Sequence, residues 1–257
     1  MTYFDSHAHL TSPNVLPNLP GILARARIAN VNQILNICTD PSTLQAGIEL
    51  AANEKGIYTA GATTPHDVEK EGEEAFPFFE AAARNRQLVA IGETGLDYHY
   101  THSNRKTQQE FLVKYLHLAA ELNLPVIFHC REAFKDLFSI VDLEYPKKNP
   151  AILHCFTGTI EEAEQVWKRG WLLSISGIAT FKKSEALRSV AKATPLNQLL
   201  IETDTPYLAP QSKRGQQNEP AFVVETAQCI ANEKNISLQE LALATKRNMQ
   251  NVCGLSL

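Results

Sequence analysis

The chain has no stretch approaching about 18 consecutive apolar residues, which excludes a membrane-spanning helix. A polar residue, Asp5, arrives too early to leave room for the apolar core of a secretory signal. From these absences we expect a soluble, cytoplasmic protein with no membrane partner. Cysteine is sparse: Cys38, Cys130, Cys155, Cys229 and Cys253 make five, an odd number, with no C-x-x-C spacing. That argues against a disulfide framework or a zinc knuckle and reads as reduced, mostly buried thiols. A basic excess is missing too. Lys and Arg number 24 against 28 Asp and Glu, a net charge of −4, so a dedicated high-affinity DNA-binding domain is not expected. An enzyme that grips a few phosphates through metal ions and local cations can still be acidic overall. No low-complexity linker interrupts the chain.

What is present is an ordinary globular composition, 44% hydrophobic and 20% charged over 257 residues, near the usual length of a (β/α)8 barrel. Eight apolar, strand-like runs can be read: Tyr3 to Ala8, Asn32 to Cys38, Ile57 to Thr63, Leu88 to Glu93, Pro125 to His129, Ala151 to Cys155, Trp171 to Ser176 and Gln198 to Thr203. Most are apolar on both faces, as parallel strands covered by helices outside and core inside should be. Helical stretches lie between them. Lys106 to Asn123 carries Phe111, Tyr115, Leu118, Ala119 and Leu122 at three and four spacing, one apolar face. Thr159 with Glu162, and Ser237 with Glu240, read as capping boxes, and Gly170 as a helix stop. Strands alternating with helices over the whole length predict one α/β domain, residues 1–257, folded as a single (β/α)8 TIM barrel.

His7 and His9, two apart in the first strand, leave the same face and can converge on one ion. An isolated H-x-H pair is a weak signal, because hydrogen-bonded histidines at a strand end look the same. Other strand ends strengthen it: Glu93 closes the fourth, His129 the fifth, His154 lies near the end of the sixth, and Asp204 follows the eighth. In a (β/α)8 barrel the C-terminal strand ends meet at one mouth, where active sites of this fold are built. Imidazole and carboxylate donors from five strands are the set a binuclear metal site needs. Cys130 and Cys155 each follow one of these histidines, but period-2 alternation turns them away from the ligand face.

These residues resemble the TatD family of metal-dependent deoxyribonucleases, within the amidohydrolase-like barrels. The matching motifs are FDSHAHL, GETGLDY, LNLPVIFHCREA, ILHCFTG, LLIETDTPYLAP and NEPAFV, which together span nearly the whole chain. The resemblance implies a metal-dependent hydrolase acting on DNA, with 3′ to 5′ exonuclease action on single-stranded or frayed ends. It also implies ligand roles for His7, His9, Glu93, His129, His154 and Asp204. It does not separate DNA from RNA. The family commonly has a histidine directly before the proline that follows the third strand; here Thr64 precedes Pro65 and His66 comes after it. A threonine hydroxyl is a poor acid at neutral pH, so Thr64 is expected to position substrate at best, with His66 or a mere rim-shaping role as alternatives.

The physical reading assigns His7, His9 and Asp204 to one ion, His129 and His154 to a second, and Glu93 to both. Two ions can activate a hydroxide and stabilise the leaving oxygen, with Asp204 orienting or deprotonating the attacking water. Mixed imidazole and carboxylate donors suit zinc, manganese, iron or nickel better than magnesium, which the resemblance nevertheless keeps in the set. Arg131 faces the same way as His129 and is either a phosphate clamp or an ion-pair partner of Asp97. Glu202 either supports a ligand or holds the eighth strand to its neighbour. Lys182, Lys183, Lys213 and Arg214 fall in loops on the catalytic side, as backbone contacts or as solvated charge. Tyr98, His99, Tyr100 and His102 either stack on an unpaired base or pack on one another. The expected substrate is therefore DNA, or RNA, and the expected state a monomer. Related barrels cleave amides and esters, deaminate, or could remove an acyl group from transfer RNA, and many of the amide-cleaving ones use a carboxylated lysine where Glu93 stands. A metal-stabilised binding protein without turnover is the remaining reading.

Overall fold

The computed structural model describes residues 1–100 and 102–255. In chain order the strands and helices are β1 (Tyr3–Ala8), α1 (Leu19–Ile28), β2 (Val31–Cys38), α2 (Pro41–Asn53), β3 (Ile57–Gly61) and α3 (Val68–Arg84). There follow β4 (Ala90–Asp97), α4 (Arg105–Leu122), β5 (Val126–Arg131), α5 (Phe134–Glu144), β6 (Ala151–Leu153) and α6 (Ile160–Lys168). The last are β7 (Leu172–Ile175), α7 (Glu185–Ala193), β8 (Leu199–Ile201), α8 (Val223–Lys234) and α9 (Leu238–Val252). Strand order in the sheet is sequential, β1 through β8. A helix after every strand of a parallel, sequentially ordered sheet is the (β/α)8 TIM barrel. All eight expected strands form, and their buried faces explain the near-continuous apolar runs.

Two compact units make up the chain, one of Met1–Asn36 with Cys155–Leu257 and one of Ile37–His154. In the first, β1 is buried along its whole length and pairs in parallel with the N-terminal part of β2. There β7 pairs with β8, and Ala8 at the end of β1 bridges to Thr205 beyond β8. Thr159 and Glu162 form the reciprocal box that starts α6, and Gly170, at φ 73°, takes the left-handed turn that stops the chain before β7. At α9 only half of the expected box forms: the Ser237 hydroxyl accepts from the Glu240 N–H.

In the second unit, β3, β4, β5 and β6 are parallel neighbours. The helix α4 starts on the Asn104 cap and ends at Asn123, at φ 55°, one residue from the expected bounds. Its apolar face, Phe111, Leu112, Tyr115, Leu116 and Ala119, is buried. The largest departure from the expected pattern is β4. The strand does not close at Glu93 but runs on to Asp97, because the register against β5 shifts between Ile91 and Thr94 and absorbs one extra residue. That bulge is possible because Gly92 and Gly95 take φ of 141° and 148°. Conversely β6 and β8 are shorter than expected, so His154 and Glu202 lie just past their strands, although the His154 N–H still donates to Phe128 O at 3.1 Å.

Candidate metal centre

In the first unit the ends of β1 and β8 are laced together by backbone. The Asp204 N–H donates to the His7 carbonyl at 2.9 Å and the His9 N–H to the Thr205 carbonyl at 2.8 Å. Asp204 takes a φ of 62°, a left-handed conformation that aspartate tolerates better than most residues. This turn brings Asp204 Oδ1 to 3.7 Å from His7 Nε2 and 3.4 Å from His9 Nε2, and the His7 side chain is fully buried. His7 and Asp204 are buried and His9 half-buried, and the three offer donor atoms within 4.8 Å of one another. Asp5, also fully buried, accepts from the Thr203 N–H at 2.9 Å, its hydroxyl at 2.6 Å and the His7 N–H at 3.3 Å. Burial outweighs those hydrogen bonds and pushes the Asp5 carboxyl up to about 8. The Glu202 N–H extends the β7–β8 ladder to Ile175 O at 3.1 Å, and one carboxylate oxygen lies within 4.8 Å of a His7 nitrogen.

Sequence reasoning missed the residue that holds this turn. Asn218, 1% exposed, donates through Nδ2 to the carbonyls of Thr203 at 2.7 Å and Tyr207 at 2.6 Å, on either side of Asp204. Its own N–H donates to Pro206 O at 3.1 Å, and its Oδ1 accepts from the Glu219 N–H at 3.0 Å. Glu219 in turn binds Arg25 of α1 through both carboxylate oxygens, at 2.9 and 2.8 Å from Nε. The signal was the NEPAFV motif, whose polar Asn and Glu had no assigned task.

The second unit carries its own cluster. His129 Nδ1 lies 2.8 Å from Glu93 Oε1, and His154 Nε2 lies 3.0 Å from the same oxygen and 3.4 Å from His129 Nδ1. The other nitrogen of His129, Nε2, faces Asp97 Oδ2 at 2.9 Å. Asp97, which the sequence names only as a possible partner of Arg131, is the second residue missed for the site; the bulge in β4 carries it to the cluster. His66 Nε2 stands 3.5 Å from Asp97 Oδ2, with its ring centroid 5.3 Å from that of His129. Burial and the neighbouring His129 hold the His66 imidazole below its ordinary pKa. Burial also works against the charged form of His129, but hydrogen bonds to Asp97 and Glu93 prevail and raise it. At Asp97 burial opposes ionisation, yet the bonds from His129 and the Tyr100 N–H bring its carboxyl down to about 2.

Both clusters fit a divalent ion. Ligand atoms about 2.1 Å from a tetrahedral centre stand about 3.4 Å from one another. The separations here run from 2.8 to 3.4 Å around Glu93 Oε1 and from 3.4 to 3.7 Å around Asp204 Oδ1. Asp97 behind His129 stands where a carboxylate would fix the orientation of a metal-binding imidazole. Cys130 and Cys155 belong to no ligand group among the described residues; the Cys155 thiol meets Ser176 Oγ at 3.3 Å.

Other candidates resolve differently. The Thr64 hydroxyl donates to Asp67 Oδ2 at 2.9 Å, whereas His66 lies at the cluster edge. The ion pair between Arg131 and Asp97 does not form: Asp97 is spent on His129 and His66, and the Arg131 guanidinium lies over the Tyr100 ring at 4.9 Å. Tyr100 also stacks on His102 at 5.4 Å, while Tyr98 bonds Asp136 at 2.8 Å and His99 bonds Glu132 at 2.8 Å. The loop after β4 is thus held against β5, α5 and the turn between them, with Tyr100 on His102 as its internal contact. Lys182, Lys183 and Arg214 are exposed and Lys213 half-buried, in the loops after β7 and β8.

Histidine and carboxylate clusters at the strand ends of a (β/α)8 fold define the class, a metal-dependent barrel hydrolase. The TatD related DNase family model matches residues 4–254. The chain belongs to that family. It is 35% identical over 249 residues to the metal-dependent hydrolase YabD of Bacillus subtilis, covering 97% of this chain and 98% of that one. It is 33% identical to the 3′-5′ ssDNA/RNA exonuclease TatD of Citrobacter rodentium, covering 99% and 98%. Among solved structures, the TatD homologue YJJV of Escherichia coli K12 superposes with a TM-score of 0.91 at 27% identity, over 97% of each chain.

Proposed function

We propose that the protein is a nuclease that hydrolyses phosphodiester bonds of single-stranded nucleic acid, DNA above all, from a free 3′ end, with residues 1–257 acting as one hydrolase domain. The observation that carries the reading is the pair of clusters, each joining buried imidazoles to a carboxylate oxygen at metal-ligand separations. The exonuclease name of the Citrobacter relative supports the substrate and the polarity.

His7, His9 and Asp204 hold one ion; Glu93, His129 and His154 hold the other. Zinc or manganese suits the imidazole-rich sets, and magnesium stays open. Divalent ions held there would supply positive charge for the phosphate and leaving oxygens and lower the pKa of a bound water. Asp204 takes the proton from the attacking water as its oxygen joins phosphorus and the P–O3′ bond breaks. Asp97 keeps the His129 imidazole pointed at its ion, and Glu202 sits close enough to His7 to steady it. His66, 3.5 Å from Asp97, and Arg131, two residues after His129, are side chains able to donate to a phosphate oxygen on the second unit's side.

The test is metal-reconstituted protein on end-labelled single-stranded DNA, the matching RNA and an aminoacyl-RNA in parallel. Mononucleotides released from the 3′ end of DNA are expected. Release of the amino acid with the RNA chain left whole would overturn the reading in favour of acyl-ester hydrolysis.

A further inference from the structure

We propose that the loops after β7 and β8 form one cationic ledge, Lys182, Lys183, Lys213 and Arg214, that holds the phosphate backbone of a nucleic-acid strand beyond the bond being cleaved. The proposal rests on the nuclease reading above. Its residues lie about thirty positions apart in the chain, and the fold joins them. Gly177 lets the two loops touch: a Cβ there would stand 2.6 Å from the Leu208 carbonyl oxygen. The Gln211 N–H donates to Thr180 Oγ1 at 2.8 Å, and the Arg214 guanidinium lies over the ring of Phe181, next to Lys182, at 5.3 Å. Arg188 braces the first loop from below, donating to the carbonyls of Ala179 at 3.0 Å and Phe181 at 2.7 Å.

What marks this patch is that four cations without an ion-pair partner among the described residues gather on two loops that the fold joins. In a chain of net charge −4, cations such as Arg25, Arg84, Lys114 and Arg188 each lie against a glutamate. Among the described residues none of the four ledge cations does; the nearby Glu225 is turned onto the Ser212 hydroxyl. Lys213 and Arg214 are instead held over aromatic rings, at 5.3 Å each from Phe222 and Phe181, which keeps their positive charge and reduces the entropy lost on binding. The ledge begins where the catalytic loop ends. Tyr207, three residues after Asp204, exposes 55% of its surface with its ring centroid 6.0 Å from that of His9, and the same loop continues through Leu208 to Arg214. Tyr207 beside His9 thus connects the His7, His9 and Asp204 cluster through one loop to Lys213 and Arg214.

The test compares wild type with a variant carrying Lys182→Gln, Lys183→Gln, Lys213→Gln and Arg214→Gln, both metal-loaded. Binding of a fluorescent 20-nucleotide strand with a phosphorothioate backbone is measured across salt, and KM is measured for a cleavable 20-mer and a dinucleotide. Each phosphate that is no longer neutralised should flatten the slope of log K against log salt by about 0.7, so the fourfold variant should lose about 2 to 3. KM for the 20-mer should rise more than about 10-fold, and by a much larger factor than KM for the dinucleotide. Wild-type binding with an unchanged slope in the variant, or an equal rise in KM for both substrates, would overturn the ledge while leaving the nuclease reading intact. Binding with the expected slope change but no cleavage of any strand would overturn the nuclease reading and leave the ledge standing.

Discussion

Asp204 illustrates how a single residue can be placed by others. Its left-handed φ of 62° follows a buried strand directly, and Asn218 clasps the backbone on both sides of it through two Nδ2 hydrogen bonds of 2.7 and 2.6 Å. Asn218→Asp keeps the shape but turns both donors into an acceptor facing two carbonyls. We expect a loss of about 1–3 kcal/mol in stability and, because the turn aims Asp204, metal affinity weaker by about 10- to 100-fold. Competition with a chelating dye measures the second effect, and an unchanged affinity beside a lowered melting temperature would reduce Asn218 to a loop staple. Asp204→Asn differs. The amide can still offer an oxygen but cannot take a proton, so at saturating metal kcat should fall by about 100-fold or more with the fold retained. Near-normal turnover under those conditions would mean that another group accepts the proton.

At the scale of elements, β4 decides where the second cluster sits. The extra residue between Ile91 and Thr94 shifts the strand by one position against β5, and the strand then carries both Glu93 and Asp97 to His129. Gly95 makes the close approach possible: at φ 148° a side chain is strained, and a Cβ there would collide with the His129 carbonyl oxygen. Gly95→Ala should therefore cost at least about 3 kcal/mol, left-handed strain and overpacking together. Denaturant unfolding checks it, and a change below about 1 kcal/mol would show that β4 relaxes around the methyl group. The same bulge explains where reading the sequence succeeds and fails. Period-2 alternation and strand-end position identify His7, His9, Glu93, His129, His154 and Asp204 as candidates, and the Thr159 box and Gly170 bound α6 correctly. Alternation breaks at a bulge, so by pattern alone β4 stops at Glu93 and Asp97 reads as a turn residue. Asn218 and His66 are undervalued by the sequence for a different reason: their roles consist of contacts with residues far away in the chain, which spacing does not encode.

For the whole molecule, the two compact units each hold one imidazole and carboxylate cluster. Buried carboxylates beside buried imidazoles are poorly solvated, and a divalent ion that binds only the folded chain stabilises it by mass action. At about 100 times Kd each ion contributes roughly 2.7 kcal/mol, which for a chain of this size corresponds to a rise in Tm of about 5–10 °C. On the proposed reading each cluster takes one ion. We expect elemental analysis of reconstituted protein to find two per chain, and exhaustive chelation to lower Tm by at least about 5 °C in the range set by that linkage. His9→Ala removes a donor from the first unit's cluster and Glu93→Ala the shared oxygen of the second, so each variant should retain at most one tightly bound ion. Loss of both ions from Glu93→Ala but only one from His9→Ala would mark Glu93 as a ligand of both. Fewer than one ion per wild-type chain, with a Tm that chelator does not move, would remove metal from the protein's chemistry and leave the clusters as hydrogen-bonded core.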